Sequence, residues 1–411
     1  MRFISVLRIG IVAALIVSGT TAIAAKKYKA INEFPDQIPE NEEEQGIWEI
    51  GKAHQEEVRS NGEAIDNPDL ERYLESVVSR LMGDMVEHIG MEVDVLVFKD
   101  PTVNAWVYPN GTIAVQTGLL AAMENEAELA AILGHEISHF LNRHAYIQIK
   151  SKQKQSVIGK GLGLLATAAV AAKTGSLNTG LMKYGQVWTE LVTSGYSRNL
   201  ETKADEQGLQ LLVDAGYPPL AAPPAFDKLR IKEDDEVNVA KMWSSHPDID
   251  SRIKNLNKRI KRLKTPAPTE EFATDNYIRQ VGDALLVNSQ LYLERRQFDS
   301  AIADLDRYLE VHDDKPTGFF LLGEAYRKQQ REGNFEARVG AYSNAITVDP
   351  SYAVAYKERG MVYRQMGNAS QAIEELNRYL EHSPEALDTP IIRWYVLDLQ
   401  TNGARKNLEQ K

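Results

Sequence analysis

Three prolines, Pro316, Pro350 and Pro384, stand 34 residues apart. A second series, Tyr292, Tyr326 and Tyr363, steps by 34 and then 37 residues. Ala301-Ile302 and Ala372-Ile373 hold matching places in the first and last units, where the middle unit carries Arg338-Val339. A period of this length admits few folds. Each unit is one supersecondary element that cannot bury its own apolar face and must stack on its neighbours. Small residues inside each unit and proline at its end describe a pair of helices, so the array is an all-α solenoid. Extra residues near 329–334 lengthen one turn between helices. Three units are clear, and flanking helices from residue 275 and up to residue 409 add a fourth unit or a cap.

This pattern resembles the tetratricopeptide repeat (TPR), which makes residues 270–411 a TPR domain. Thr265-Pro266-Ala267-Pro268-Thr269 reads as the linker to a different unit over residues 25–264. The first unit is expected to fold without the repeats. Residues 1–24 have the grammar of a secretory signal peptide. Arg2 and Arg8 make a basic start, residues 9–17 are apolar, and Ala22-Ile23-Ala24 offers a small-x-small cleavage site. The competing reading, an uncleaved anchor, suffers from an apolar run shorter than the ~20 residues a span needs. The chain has no cysteine, which excludes disulfides, thiolate metal sites and lipid attachment at that cleavage site.

The formal net charge is -11, and loss of Arg2 and Arg8 would make it more negative. Nucleic acid is therefore not the expected partner, because phosphate binding needs a basic surface. Glu42-Glu43-Glu44 reads as solvated surface, at the end of an extended lead-in over residues 30–45. A helical pattern follows over residues 69–89, then a strand over residues 91–98. Pro109-Asn110-Gly111 marks a turn into a second strand over residues 112–115. Residues 157–172 are apolar and rich in glycine and alanine, which suits a helical flap or a segment in peripheral contact with a membrane. A further helix over about residues 188–215 ends at Gly216, and Pro218-Pro219 forbids its continuation.

The chemistry sits on the helix that starts at Asn125. Asn125 can cap it, and Glu128 three residues later completes a capping-box pattern. Leu129, Ile132, Leu133, Ile137, Phe140 and Leu141 then recur at helical spacing. Inside this run lies Gly134-His135-Glu136-Ile137-Ser138-His139, an H-E-x-x-H motif. Residues four apart share a helix face, so His135 and His139 can bind one metal ion. Glu136, one step around, can take a proton from a water that the metal acidifies and pass it to a leaving amine. Nitrogen and oxygen donors and non-redox Lewis acidity favour one Zn2+ per chain. Catalytic zinc usually takes a third protein ligand. His144 is five residues on and faces elsewhere on a continuous helix. Glu201, with Asp205 one turn later, is a better candidate, although spacing alone leaves a solvated acidic helix equally open.

Gly134-His135-Glu136-Ile137-Ser138-His139-Phe140-Leu141-Asn142-Arg143-His144, followed about sixty residues on by S-R-x-x-E-x-x-A-D, resembles the HtpX and CAAX-prenyl-protease group of gluzincins. Val103-Asn104-Ala105-Trp106, Thr117-Gly118-Leu119-Leu120, and Ser245-His246-Pro247 before Arg252 resemble it too. The likeness covers roughly residues 67–256. It implies His135, His139 and Glu201 as zinc ligands, Glu136 as the base, and Asp205 as the acceptor behind a ligand imidazole. It also implies a cleft lined by the strand around Asn104, Ala105 and Trp106, whose edge could hold a substrate backbone. The expected fold is α+β: a mainly helical zincin domain with a small sheet, then the TPR solenoid.

Unlike the membrane-bound members, this chain has no convincing membrane-spanning helix and adds repeats. That combination is similar to periplasmic members of the group. It implies a periplasmic endopeptidase that degrades misassembled outer-membrane β-barrel proteins and assists their assembly, docking on the β-barrel assembly machinery through its repeats. The rival reading is a TPR chaperone or adaptor whose protease site is dispensable. His246 has three readings: the flank of a helix opened by Pro247, an oxyanion donor, or a fourth zinc ligand that keeps the enzyme latent. The latch is preferred, because unrestrained proteolysis is harmful and the segment leads into the repeats.

Overall fold

Asparagine starts the helices that carry the protease-like half. The computed structural model describes residues 37–89, 94–155, 196–230, 248–263, 272, 274–329 and 333–409. Over these the chain runs α1 (Glu42–Ser60), α2 (Pro68–Met82), α3 (Met85–His88), β1 (Val95–Phe98), β2 (Ala105–Val107), β3 (Ile113–Gln116), α4 (Thr117–Ala122), α5 (Glu126–Leu141) and α6 (His144–Gln155). It continues through α7 (Arg198–Asp214), α8 (Ala222–Asp227) and α9 (Ile249–Ile260). Asn41, Asn67 and Asn125 are extended, and their side-chain oxygens accept N–H groups of the first turns of α1, α2 and α5 at 3.0–3.1 Å. Such caps satisfy donors that a helix start leaves open. At α5 the expected box is shifted by one residue. The Glu128 carboxylate accepts from Glu124 N–H at 2.8 Å rather than from Asn125.

Three sequence expectations need correction. The lead-in is already helical at Glu42, because Asn41 caps there. Glu44 is buried rather than solvated, at 2% exposure. Its carboxylate pairs with Arg143 at 2.7 Å and accepts Glu40 N–H at 2.7 Å, which satisfies a charge that burial would otherwise penalise. The pattern over residues 69–89 splits into α2 and α3 at Gly83, whose φ is 53°.

The three-stranded sheet has the order β1-β3-β2, parallel between β1 and β3 and antiparallel between β3 and β2. Gly111, at φ 92°, closes the turn between β2 and β3. Val95, Val97, Val107, Ile113 and Val115 join Leu74, Val78 and Leu133 in one core, so the sheet lies against α2 and α5.

The repeats follow as α10 (Thr274–Glu294), α11 (Phe298–Leu309), α12 (Pro316–Gln329), α13 (Phe335–Val348), α14 (Ala353–Gln365), α15 (Ala369–His382) and a closing α16 (Thr389–Glu409). Paired helices of this length match the 34-residue period. Ala301 and Ala372 are fully buried at their corresponding places, and Arg338 takes the equivalent buried place in the middle unit. Among the described residues, no helix is long and apolar enough to cross a membrane. The signal-peptide segment 1–24, the linker at residues 265–269 and the apolar residues 157–172 lie outside the described residues.

The change in style at residues 264–270 does not coincide with a break in the core. Tyr277, Ile278, Val281, Ala284 and Leu285 of α10 belong to the same hydrophobic cluster as α2, α4 and α5. Tyr277 Oη donates to Leu120 O at 2.7 Å, Arg307 donates to Met123 O at 2.8 Å, and Asn288 meets Thr117 Oγ1 at 3.0 Å. Each large apolar side chain buried here stabilises by about 1.5–3 kcal/mol as an upper bound. A chain ending at Pro268 should therefore unfold at a markedly lower denaturant midpoint than the full chain. An unchanged midpoint would show that this contact contributes nothing to the first half.

Candidate metal centre

Helices α5 and α7 cross where neither carries a side chain. A Cβ placed on Gly208 would lie 2.8 Å from His135 N, and one on Gly134 would lie 3.1 Å from Gly208 O. Glu201, Asp205 and Gly208 are spaced i, i+4 and i+7 on α7, so they share the face turned to α5. His135 and His139 share the opposing face of α5. Ser138 and Asn142 extend the seam, both hydrogen-bonding Gln207 of α7.

The result is three donor groups around one point. His135 Nε2 and His139 Nε2 are 3.0 Å apart. Glu201 Oε2 is 3.5 Å from the first, and Oε1 is 3.5 Å from the second. A tetrahedral zinc site with bonds of about 2.0–2.1 Å separates its donors by about 3.3 Å. Edges of 3.0 and 3.5 Å bracket that value, and all three residues are buried, so the set fits one metal ion. Among the described residues it is the group with this property.

Charged groups behind the donors balance one another. Asp205 Oδ1 is 3.0 Å from His135 Nδ1, the nitrogen turned away from the donor triangle. Arg252 of α9 is buried and reaches Asp205 at 2.7 Å and Glu201 at 3.1 Å. Burial raises the Asp205 carboxyl, but Arg252 and the His135 hydrogen bond outweigh it and hold its pKa below the ordinary value. Burial and Arg252 push His135 down, yet Asp205 and Glu201 prevail and raise it to about 9 without a metal. Glu136 is buried one residue beyond His135, within electrostatic reach of Arg252 and Tyr196.

His139 is gripped from two sides. Tyr196 stacks on its ring at 4.0 Å between centroids, and His144 meets it edge-on at 4.9 Å. Phe226 of α8 stands edge-on to His135 at 5.6 Å. Beside the donors runs β2, at one edge of the sheet. Asn104, Ala105 and Trp106 are buried. Asn104 O accepts from Gln116 N at 3.0 Å and Tyr108 N donates to Thr112 O at 2.8 Å, both towards β3. Alternation then turns the backbone groups of Ala105 and Val107 to the outer edge. A narrow cleft between α1, β2 and α5 is lined by Trp48, Val107, Tyr108, His139 and Tyr146.

The structure thus brings together His135, Glu136, His139, Glu201 and Asp205. His246 lies outside the described residues. Sequence reading missed Arg252, His144 and Tyr196 as parts of the centre. Arg252 was visible only as the end of a motif, and nothing in its neighbourhood announced two carboxylate partners from a helix 47 residues earlier.

Residues 68–260 match peptidase family M48, and residues 286–337 and 327–394 match tetratricopeptide repeats. The chain is 28% identical over 197 residues to the mitochondrial metalloendopeptidase OMA1 of Schizosaccharomyces pombe, covering 47% of this chain and 55% of that one. It is 26% identical over 228 residues to the beta-barrel assembly-enhancing protease of Yersinia pestis, covering 54% and 45%. The mitochondrial metalloendopeptidase OMA1 of Arabidopsis thaliana is 32% identical over 175 residues, covering 41% and 31%. The chain spans about half the length of the curated relatives it matches, and less of some.

Replacing Arg252 with methionine keeps an unbranched stem and leaves two buried carboxylates without their cation. Breaking a buried pair in this way costs about 3–5 kcal/mol. Denaturation of zinc-free protein at neutral pH should show that loss, with part of it regained when zinc is added. Equal stability of wild type and Arg252→Met would show that Arg252 balances neither acid.

Proposed function

We propose, for a chain whose residues 68–260 are a peptidase family M48 domain followed by tetratricopeptide repeats, that it is a zinc-dependent endopeptidase. The observation that carries this reading is the spacing of the three donors, 3.0, 3.5 and 3.5 Å, on two helices locked at Gly134 and Gly208. His135, His139 and Glu201 would hold the metal. When bound, zinc supplies Lewis acidity, polarising a carbonyl and making water a nucleophile at neutral pH. Glu136 accepts the proton of the attacking water and delivers it to the leaving amine nitrogen. Asp205 accepts the Nδ1 proton of His135, which keeps the Nε2 lone pair on the donor side. The outward backbone groups of Ala105 and Val107 add a substrate segment as a further strand beside the cleft.

The sequence and the relatives also support a biological setting. The leader-like residues 1–24 support export to the periplasm. Relatives named beta-barrel assembly-enhancing protease support a role with outer-membrane β-barrel proteins, as degradation of misassembled chains and help in assembly. The repeats would bind a protein partner such as the β-barrel assembly machinery. The rival reading, a TPR chaperone or adaptor with a dispensable protease site, draws support from the size of the repeat array.

Purified protein should contain one zinc per chain. Glu136→Gln should keep that zinc and lose peptide hydrolysis by about 10²–10⁴-fold, because it removes the proton carrier and leaves the donors. Metal analysis and cleavage of an unfolded substrate check both points. Full hydrolysis by zinc-free protein would sink the reading. Full cellular function of Glu136→Gln would favour the adaptor.

A further inference from the structure

His144 lies outside the donor set but against it. On an uninterrupted helix it would stand about 140° around the axis from His139, five residues earlier, and could not reach it. The helix does not continue. α5 stops at Leu141, Arg143 adopts φ 53°, and α6 begins with His144 itself. The reversal swings His144 back behind His139, with the two Nδ1 atoms 2.9 Å apart. Both rings are buried, at 0% and 1% exposure. The turn is anchored from outside. Arg143 pairs with Glu44 at 2.7 Å and donates to Ile38 O at 2.7 Å.

Two nitrogens at this distance need one proton between them. The Nε2 of His139 points into the donor triangle and must offer its lone pair there, so its own proton resides on Nδ1. That leaves the Nδ1 of His144 as acceptor, with the proton of His144 on Nε2. We propose that His144 is a positioning residue that accepts the Nδ1 proton of His139 and so orients this imidazole for the metal. The inference rests on the reading of His135, His139 and Glu201 as metal donors.

The arrangement parallels Asp205 behind His135 at 3.0 Å, with a different acceptor. A carboxylate behind His139 would add a further buried negative charge to those of Glu136, Glu201 and Asp205. A neutral imidazole orients the ligand without that charge. Tyr196, stacked on the His139 face, restrains the ring's tilt, while His144 holds its rotation about the ring normal.

The test compares His144→Phe, which keeps a ring and removes the acceptor, with His144→Asn, whose Oδ1 can stand near the Nδ1 position. Zinc affinity is read by chelator competition on the full chain, and geometry by the visible bands of the cobalt(II)-substituted protein. Loss of a partner behind a ligand histidine weakens metal binding by about ten- to 100-fold. We expect that loss and shifted cobalt bands for His144→Phe, with His144→Asn within about threefold of wild type by the same reasoning. Wild-type affinity in His144→Phe overturns the proposal, as does equal weakening in both variants. Absence of zinc binding by wild type is a separate outcome, which defeats the metal reading itself. Should His144→Phe not fold, nitrogen-15 spectra of zinc-loaded wild type decide. An unprotonated His144 Nδ1 supports the proposal, and a protonated one overturns it.

Discussion

The contact between Gly134 and Gly208 governs the rest of the centre. Two helices ordinarily pack with their axes 8–10 Å apart, as the side chains between them dictate. Here the backbone of one touches the backbone of the other, and a methyl group on Gly208 would fall 2.8 Å from His135 N. A carboxylate has a short side chain, and Glu201 can meet two imidazoles on a neighbouring helix only when that helix is this close. The same contact brings Asp205 to the back of His135. It also buries several ionisable groups in a small volume, where Arg252 enters from α9 and the Nδ1 atoms of His135 and His139 face Asp205 and His144.

Around that contact the molecule is arranged to resist rotation of the donors. The short sheet backs α5 on one side, with its edge strand left beside the cleft. Helix α1 reaches over the far end of α5 and holds Arg143 through the buried Glu44, so the turn carrying His144 is tied to the N-terminal helix. Helix α10 closes the other end. It is the first helix of the repeat array and also a wall of the protease-like core, bonded to α4 and to the chain before β2 through Leu120 O and Pro101 O. A partner that displaced the repeats would therefore pull on the segment that leads into the edge strand. The physical link is a shared core and buried hydrogen bonds rather than a flexible tether.

Some of this was legible in the residue order. The period of 34 residues, with small residues inside each unit and proline at its end, determined paired helices stacking into a solenoid, because such a unit cannot bury its apolar face alone. H-E-x-x-H on a capped helix determined two imidazoles on one face, because the helix repeat is a local property. The cap at Asn125 and the turn at Gly111 are local for the same reason. Tertiary structure decided what depends on contact between distant segments. Glu44, read as surface, is buried because Arg143, 99 residues later, meets it. Arg252 joins the centre only through the packing of α9 on α7. His144, on the wrong face by helix geometry, reaches His139 because a left-handed arginine breaks the helix between them. Periodicity is written residue by residue along the chain. The charge partner of a buried group, and the one backbone angle that reverses a helix, are set by what the folded chain places against them.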